Sequence, residues 1–214
     1  MIELLHIDCM EYMATMPDKA FDLAIVDPPY GIGEDGGNKN RGRKADNYSR
    51  KVIHIKKDWD SSKPKKEYWD ELFRVSKNQV VWGGNYFSEF LPSRMGWIFW
   101  NKLIGGDFSD GELAWTSFNM ALRMYTYSYH GDTKGGHTRI HPTQKPKSLY
   151  QYILHNYAKP GDKILDTHLG SGSSAIAAHK MGFDFVGTEL DLDYYNAAVK
   201  RFNEQTMQQT LFKP

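Results

Sequence analysis

The stretch KILDTHLGSGSSAIAAHKMGFDFVGTEL, residues 163 to 190, decides the fold. It begins with a short apolar run closed by a carboxylate (DKILD, ending at Asp166), passes through Gly170-Ser171-Gly172, and continues as a helix-compatible run, SSAIAAHKMG, that Gly182 stops. A second strand-like run, FDFVGTEL, then carries Glu189, 19 residues beyond Gly170. Strand, glycine turn, helix and strand in that order form one unit of a parallel sheet. The glycines permit a tight turn and close backbone approach to a ligand, and a carboxylate about 20 residues on is placed to accept ribose hydroxyl hydrogen bonds. Alone, the pattern Gly170-x-Gly172-x-x-Ala175 fits a dinucleotide site equally well, or a plain glycine turn between a packed strand and helix.

Working outward, the same alternation runs along the chain. IELLHID (2 to 8) is a strand candidate ending in Asp8, CMEYMATMP a short helix closed by Pro17, and FDLAIVD (21 to 27) a second strand. PKKEYWDELFRVS (64 to 76) places Tyr68, Trp69, Leu72, Phe73 and Val75 at near-helical spacing, and NQVVWGG follows as a strand. GWIFWNK (96 to 102), ELAWTSF (112 to 118) and ALRMYTYSYH (121 to 130) read as further strands; KSLYQYILHNYA and LDYYNAAVKRFNEQ read as helices. The expected fold is α/β, with a mostly parallel sheet and an antiparallel edge formed by the consecutive strands near 96 to 130. In such sheets ligands bind at the carboxyl ends of strands, where Asp8, Asp27, Gly83, Asp166 and Glu189 fall.

One of those strand ends is unusual. FDLAIVD runs directly into Pro28, Pro29 and Tyr30. Proline has no backbone N–H and locks φ, so the pair ends the strand and holds the next turn in one extended shape. Asp27 and Tyr30 are thereby displayed on a stiff hook.

Composition bounds the rest. With 214 residues, 40% of them hydrophobic, the chain is long enough to bury about 70% of its unfolded surface and reads as a single domain over 1 to 214. Cys9 is the sole cysteine, so no internal disulfide forms and a reducing interior is expected. The N-terminus lacks the pattern of a secretory signal, and no apolar run approaches membrane-spanning length, so a cytoplasmic protein is expected. Net charge is +1, but residues 1 to 30 hold six carboxylates against Lys19, and residues 31 to 66 hold eleven Lys or Arg against five carboxylates. A basic run directly after the hook is read either as a solvated loop or as the contact to a polyanion. The Asn, Gly, Arg and Tyr interleaved in GGNKNRGRKADNYSRK suit phosphate and base contacts. Residues 31 to 62 are therefore expected to be a mobile loop that contacts a nucleic acid, with Arg41, Arg43, Lys44, Arg50 and Lys51 as the candidates.

DPPY (27 to 30), HPTQKP (141 to 146), DTHLGSGSS (166 to 174) and FVGTELD (185 to 191) occur in that order. With them the chain resembles the amino-group DNA methyltransferases, which use S-adenosylmethionine and modify adenine N6 or cytosine N4. The hook before the glycine loop looks like the circularly permuted beta group, on a Rossmann-like sheet. The resemblance is closest over 3 to 30 and 141 to 203. It implies that Asp27 and the Pro28 carbonyl accept hydrogen bonds from the target amine, that Pro29 keeps them rigid, and that Tyr30 stacks on a base flipped out of double-stranded DNA. For the cofactor it implies Gly170, Ser171 and Gly172 beside the methionine portion and Asp166 near its ammonium. Thr143 and Lys145 would hold its carboxylate, Glu189 the ribose hydroxyls, and Asp8 the adenine amine, although Asp8 also suits a capping role. His130, His137 and His141 lack a metal-ligand pattern, and no metal is expected.

The chain departs from the family in two places. Relatives often have Asp-Pro-Phe where Asp166-Thr167-His168 stand, so His168 would line the adenosine site with a polar ring. The short span before HPTQKP leaves little room for a target-recognition region, so either residues 31 to 62 take over that task, the favoured reading, or recognition is short and loosely specific. The hook begins with aspartate where cytosine enzymes often carry serine, which favours adenine N6. Cytosine N4, an RNA or protein-amide substrate, and a non-catalytic nucleic-acid-binding module are the alternatives. In the tail, 204 to 214, Gln208, Leu211 and Phe212 of QQTLF resemble peptides that dock on the DNA-polymerase sliding clamp; packing of Leu211 and Phe212 on the domain is the other reading. A homodimer is compatible with the sequence, which marks no surface for it.

Overall fold

A computed structural model describes residues 1–36, 55–104, 109–129, 131 and 139–207. The eight strands among them are β1 (Ile2–His6), β2 (Phe21–Val26), β3 (Ser76–Trp82), β4 (Trp97–Asn101), β5 (Gly111–Thr116), β6 (Arg123–Thr126), β7 (Lys163–Asp166) and β8 (Asp184–Glu189). The helices are α1 (Cys9–Ala14), α2 (Lys66–Val75), α3 (Lys147–Tyr157), α4 (Ser173–Met181) and α5 (Leu192–Met207). All eight strands join one sheet in the order β1-β8-β7-β2-β3-β5-β4-β6.

The sheet is parallel from β1 to β3, and the expected antiparallel pairing lies where the consecutive strands were read. It is made by β5 alone, which runs antiparallel to both neighbours, β3 and β4, whereas the outermost strand, β6, is parallel to β4. Helices cover both faces. Leu23 and Ile25 of β2 pack in the cluster of α3, α4 and α5, and Ala24 and Val26 in that of α1 and α2. Burial on both faces explains why β2 is a continuous apolar run rather than an alternating one. Helix α2 buries Tyr68, Trp69, Leu72 and Val75 along one stripe, each worth about 1.5–3 kcal/mol of apolar burial.

The chain leaves β7 toward β8 on one side and β2 toward β3 on the other, while β7 and β2 lie side by side with Leu23 opposite Ile164. This is the sheet's switch point, where diverging connections leave a crevice beyond the carboxyl ends. Asp27 and the 166–172 loop both open into it.

Candidate active site

The hook is braced from three directions. Asp27 Oδ1 accepts the Tyr30 O–H at 2.6 Å, and Oδ2 accepts Lys145 Nζ at 2.5 Å. The Tyr30 ring stacks on Tyr86 (centroids 4.8 Å apart, planes 15° from parallel) and meets Phe87 edge-on. Beneath it, Gly83 adopts φ +66°, and a β-carbon there would fall 2.3 Å from the ring, so only glycine fits. Beyond the hook, the buried Asp60 carboxylate accepts the Gly31 and Glu34 N–H groups at 2.8 and 2.7 Å. The ends of the 31 to 62 stretch are thus tied together at the site, while 37–54, and with them Arg41, Arg43, Lys44, Arg50 and Lys51, lie outside the described residues.

On one side of the hook is a cleft of about 710 Å³ lined by Asp8, Tyr68, His168, Gly170, Ser171 and Glu189 among others. Glu189 accepts the Gly170 and Asp191 N–H groups, and burial still raises its pKa. Asp8 caps α1 by accepting Met10 N–H and also faces the cleft, so both of its expected roles are structurally open. His168 packs edge-on against Tyr68, and burial pushes its pKa down to about 4. Its ring is therefore neutral near pH 7, a flat, uncharged wall in spite of its polarity.

Two predicted residues stand behind the cleft rather than in it. Asp166, pushed up to about 7 by burial, accepts Ser174 O–H and His168 N–H and so shapes the loop. Gly172, at φ +69°, begins α4 and faces Ala198 of α5, where a β-carbon would touch at 3.4 Å. The two glycines divide the work: Gly170 borders the cleft, and Gly172 lets the helices close together.

On the other side of the hook, a cavity of about 820 Å³ is lined by Tyr30, Tyr86, Phe99, Lys102, Glu112 and Tyr129 among others. The two cavities share Asp27, Pro29, Trp59, Thr143 and Lys145. Lys145 stands at this junction. Burial alone would pull its pKa down, but the Asp27 and Glu112 carboxylates outweigh that and hold it up. Thr143 Oγ1 lies 3.2 Å from His141 Nδ1, and His141 packs between Trp59 and Tyr194. Trp59, Tyr86, Lys102 and Glu112 were not foreseen. The one available signal was the carboxylate that opens an otherwise largely apolar strand, at Glu112. Gln208, Leu211 and Phe212 lie outside the described residues.

A cleft and an aromatic cavity thus meet at Asp27, and a family model, DNA methylase, aligns with residues 55–200. The chain belongs to the DNA methylase family. Type II methyltransferase M2.DpnII of Streptococcus pneumoniae is 26% identical over 94% of this chain and 90% of its own length. The fold is shared with M1.HpyAVI in a structure titled as its SAM complex (TM-score 0.62, 19% identity, covering 95% of this chain and 100% of that one). It is shared too with the PvuII DNA methyltransferase, titled cytosine-N4-specific (TM-score 0.60, 13% identity, 94% and 86%). This DNA methylase has the glycine loop, Glu189 and the Tyr86, Phe99, Lys102, Glu112 and Tyr129 part of the aromatic cavity within the family match; the hook, with Tyr30, precedes it. Among the described residues no group of His, Cys, Asp and Glu could hold a metal ion, and no helix is long and apolar enough to cross a membrane.

Proposed function

We propose that this DNA methylase transfers the methyl group of S-adenosylmethionine to the exocyclic N6 amine of adenine in double-stranded DNA. The observation that carries the reading is the meeting of the two cavities at Asp27. A methyl donor and a base can then approach each other at one pair of acceptors.

The residues fit the cofactor. The cleft volume lies within the roughly 300–1,000 Å³ of small-molecule sites, and its donor set of two carboxylates, a glycine turn and flat rings suits a nucleoside. Glu189 would take the ribose hydroxyls, Asp8 the adenine amine, and Gly170, Ser171 and Thr143 the methionine portion. Lys145 donates to Asp27 and is ion-paired with Glu112 at 3.1 Å, and its ammonium can offer a further N–H to a carboxylate. When bound, S-adenosylmethionine supplies an electrophilic methyl group.

An aromatic amine is a poor nucleophile because its lone pair is delocalised into the ring. Asp27 and the Pro28 carbonyl accept its hydrogens and favour a pyramidal nitrogen whose lone pair faces the cleft. The prolines hold both acceptors rigid, and the Tyr30–Tyr86 pair gives the swung-out base an aromatic wall. The proton that leaves the methylated nitrogen has Asp27 as its nearest acceptor. Lys145, held protonated, is a donor and not a base. Recognition of the duplex falls to residues 31 to 62 and their Arg and Lys side chains. The Asp27 start of the hook favours adenine; cytosine N4 is the second reading, kept because a structural neighbour is titled cytosine-N4-specific.

Labelled methyl transfer to mixed-sequence duplex DNA, followed by nucleoside mass spectrometry, tests the proposal. N6-methyladenine is expected. N4-methylcytosine would move the target to the second reading, and unlabelled DNA with intact cofactor binding would turn attention to RNA or protein amides.

A further inference from the structure

The site holds more charge than amine recognition uses, one buried ammonium among three partly exposed groups. Lys145, with its side chain 3% exposed, lies 2.5 Å from Asp27 and 3.1 Å from Glu112, whose other oxygen lies 2.5 Å from Lys102 Nζ. Signs alternate along the row Asp27, Lys145, Glu112, Lys102. The row crosses the wall of the second cavity, from the hook after β2 to β5 and the end of β4. Burial would raise the Glu112 pKa, yet Lys145 and Lys102 hold it down, so it stays a carboxylate.

Asp27 is the member with the most demands on it. Oδ1 already accepts Tyr30 O–H, and Oδ2 accepts Lys145. An ammonium as buried as that of Lys145, held by one carboxylate, would draw on most of that group's accepting capacity; a second carboxylate shares the load. Resting on the reading of Asp27 as the amine acceptor, we propose that Glu112 is a positioning residue for methyl transfer. It draws Lys145 partly away from Asp27 and so leaves Asp27 a lone pair for the target amine. Lys102 anchors Glu112 from the far side.

The test compares wild type, Glu112→Gln and Glu112→Asp in the full chain, measuring kcat, KM for DNA, S-adenosylmethionine affinity by calorimetry, and thermal melting. Glutamine keeps the shape but cannot balance the ammonium. The expected result is a kcat loss of about tenfold or more, with cofactor affinity and KM for DNA within about twofold of wild type and part of kcat recovered by Glu112→Asp. A role limited to holding the fold would lower cofactor affinity and melting temperature together with kcat. That pattern, or a wild-type kcat, overturns the inference. Should Glu112→Gln not fold, Glu112→Asp carries the test by the same split: lower kcat at unchanged cofactor affinity supports the inference, and unchanged kcat refutes it. Failure of the underlying reading looks different, because wild type itself would then leave DNA unmethylated, or Asp27→Ala would stay active.

Discussion

Replacing Gly83 with alanine should damage the site through one methyl group. The new β-carbon would lie 2.3, 2.5 and 2.8 Å from Cε1, Cζ and Cδ1 of Tyr30. Carbon atoms pack at about 3.5–4.0 Å, so the ring must move by roughly 1 Å or more. The backbone at φ +66° adds about 1–2 kcal/mol of left-handed strain for any residue with a β-carbon. Overpacking adds about 1–3 kcal/mol, for a total near 2–5 kcal/mol and a fall in Tm of about 4–20 °C for a chain of this size. The displaced ring cannot keep both its 2.6 Å hydrogen bond to Asp27 and its stack on Tyr86. Loss of kcat should therefore exceed what instability explains, by about a hundredfold measured well below the variant's Tm. Urea unfolding and steady-state methyl transfer would measure the two effects separately. A Gly83→Ala variant with wild-type Tm and kcat would refute the geometry of the hook.

Three further outcomes are expected. Asp60→Ala removes the acceptor for two backbone N–H groups, should cost about 1–3 kcal/mol in urea unfolding, and should raise KM for DNA with little change in cofactor affinity; an unaltered KM for DNA would sever the 31 to 62 stretch from substrate binding. Glu189→Ala should weaken S-adenosylmethionine binding about 10- to 100-fold by calorimetry, and undiminished binding would remove the ribose assignment. The His168 pKa, near 4 when folded and about 6.5 when unfolded, means the unfolded chain binds more protons between those values, so this residue costs stability as pH falls from about 6.5 to 4. His168→Phe should lose that component, seen as a flatter acid side of stability against pH; an unchanged profile would show that the ring is not held neutral by burial.

Much of this was legible because it is local. Pro28 and Pro29 end a strand wherever they stand, and two-sided burial makes β2 and β7 apolar runs that alternation rules do not describe but strand length does. The glycine turn and Glu189 are one unit, so their spacing shows in the chain. The Lys145 contacts did not show there, because they depend on strand order. Only when β5 inserts between β3 and β4 does Glu112 reach Lys145, a residue 33 positions away. Gly83 and Tyr86 are similar: their importance arises from where Tyr30 lands, which no periodicity encodes. Gly172 was legible as a turn residue, but its packing on Ala198 required α5 in place.

In the proposed function, Asp27 presents the target amine to the methyl donor. The most direct measurement is methyl transfer to duplex DNA by wild type and Asp27→Ala at saturating S-adenosylmethionine, with cofactor affinity measured in parallel and the modified nucleoside identified by mass. N6-methyladenine is expected from wild type, with a loss of at least about a thousandfold in the variant at near-unchanged cofactor affinity. Comparable methylation by Asp27→Ala would contradict it.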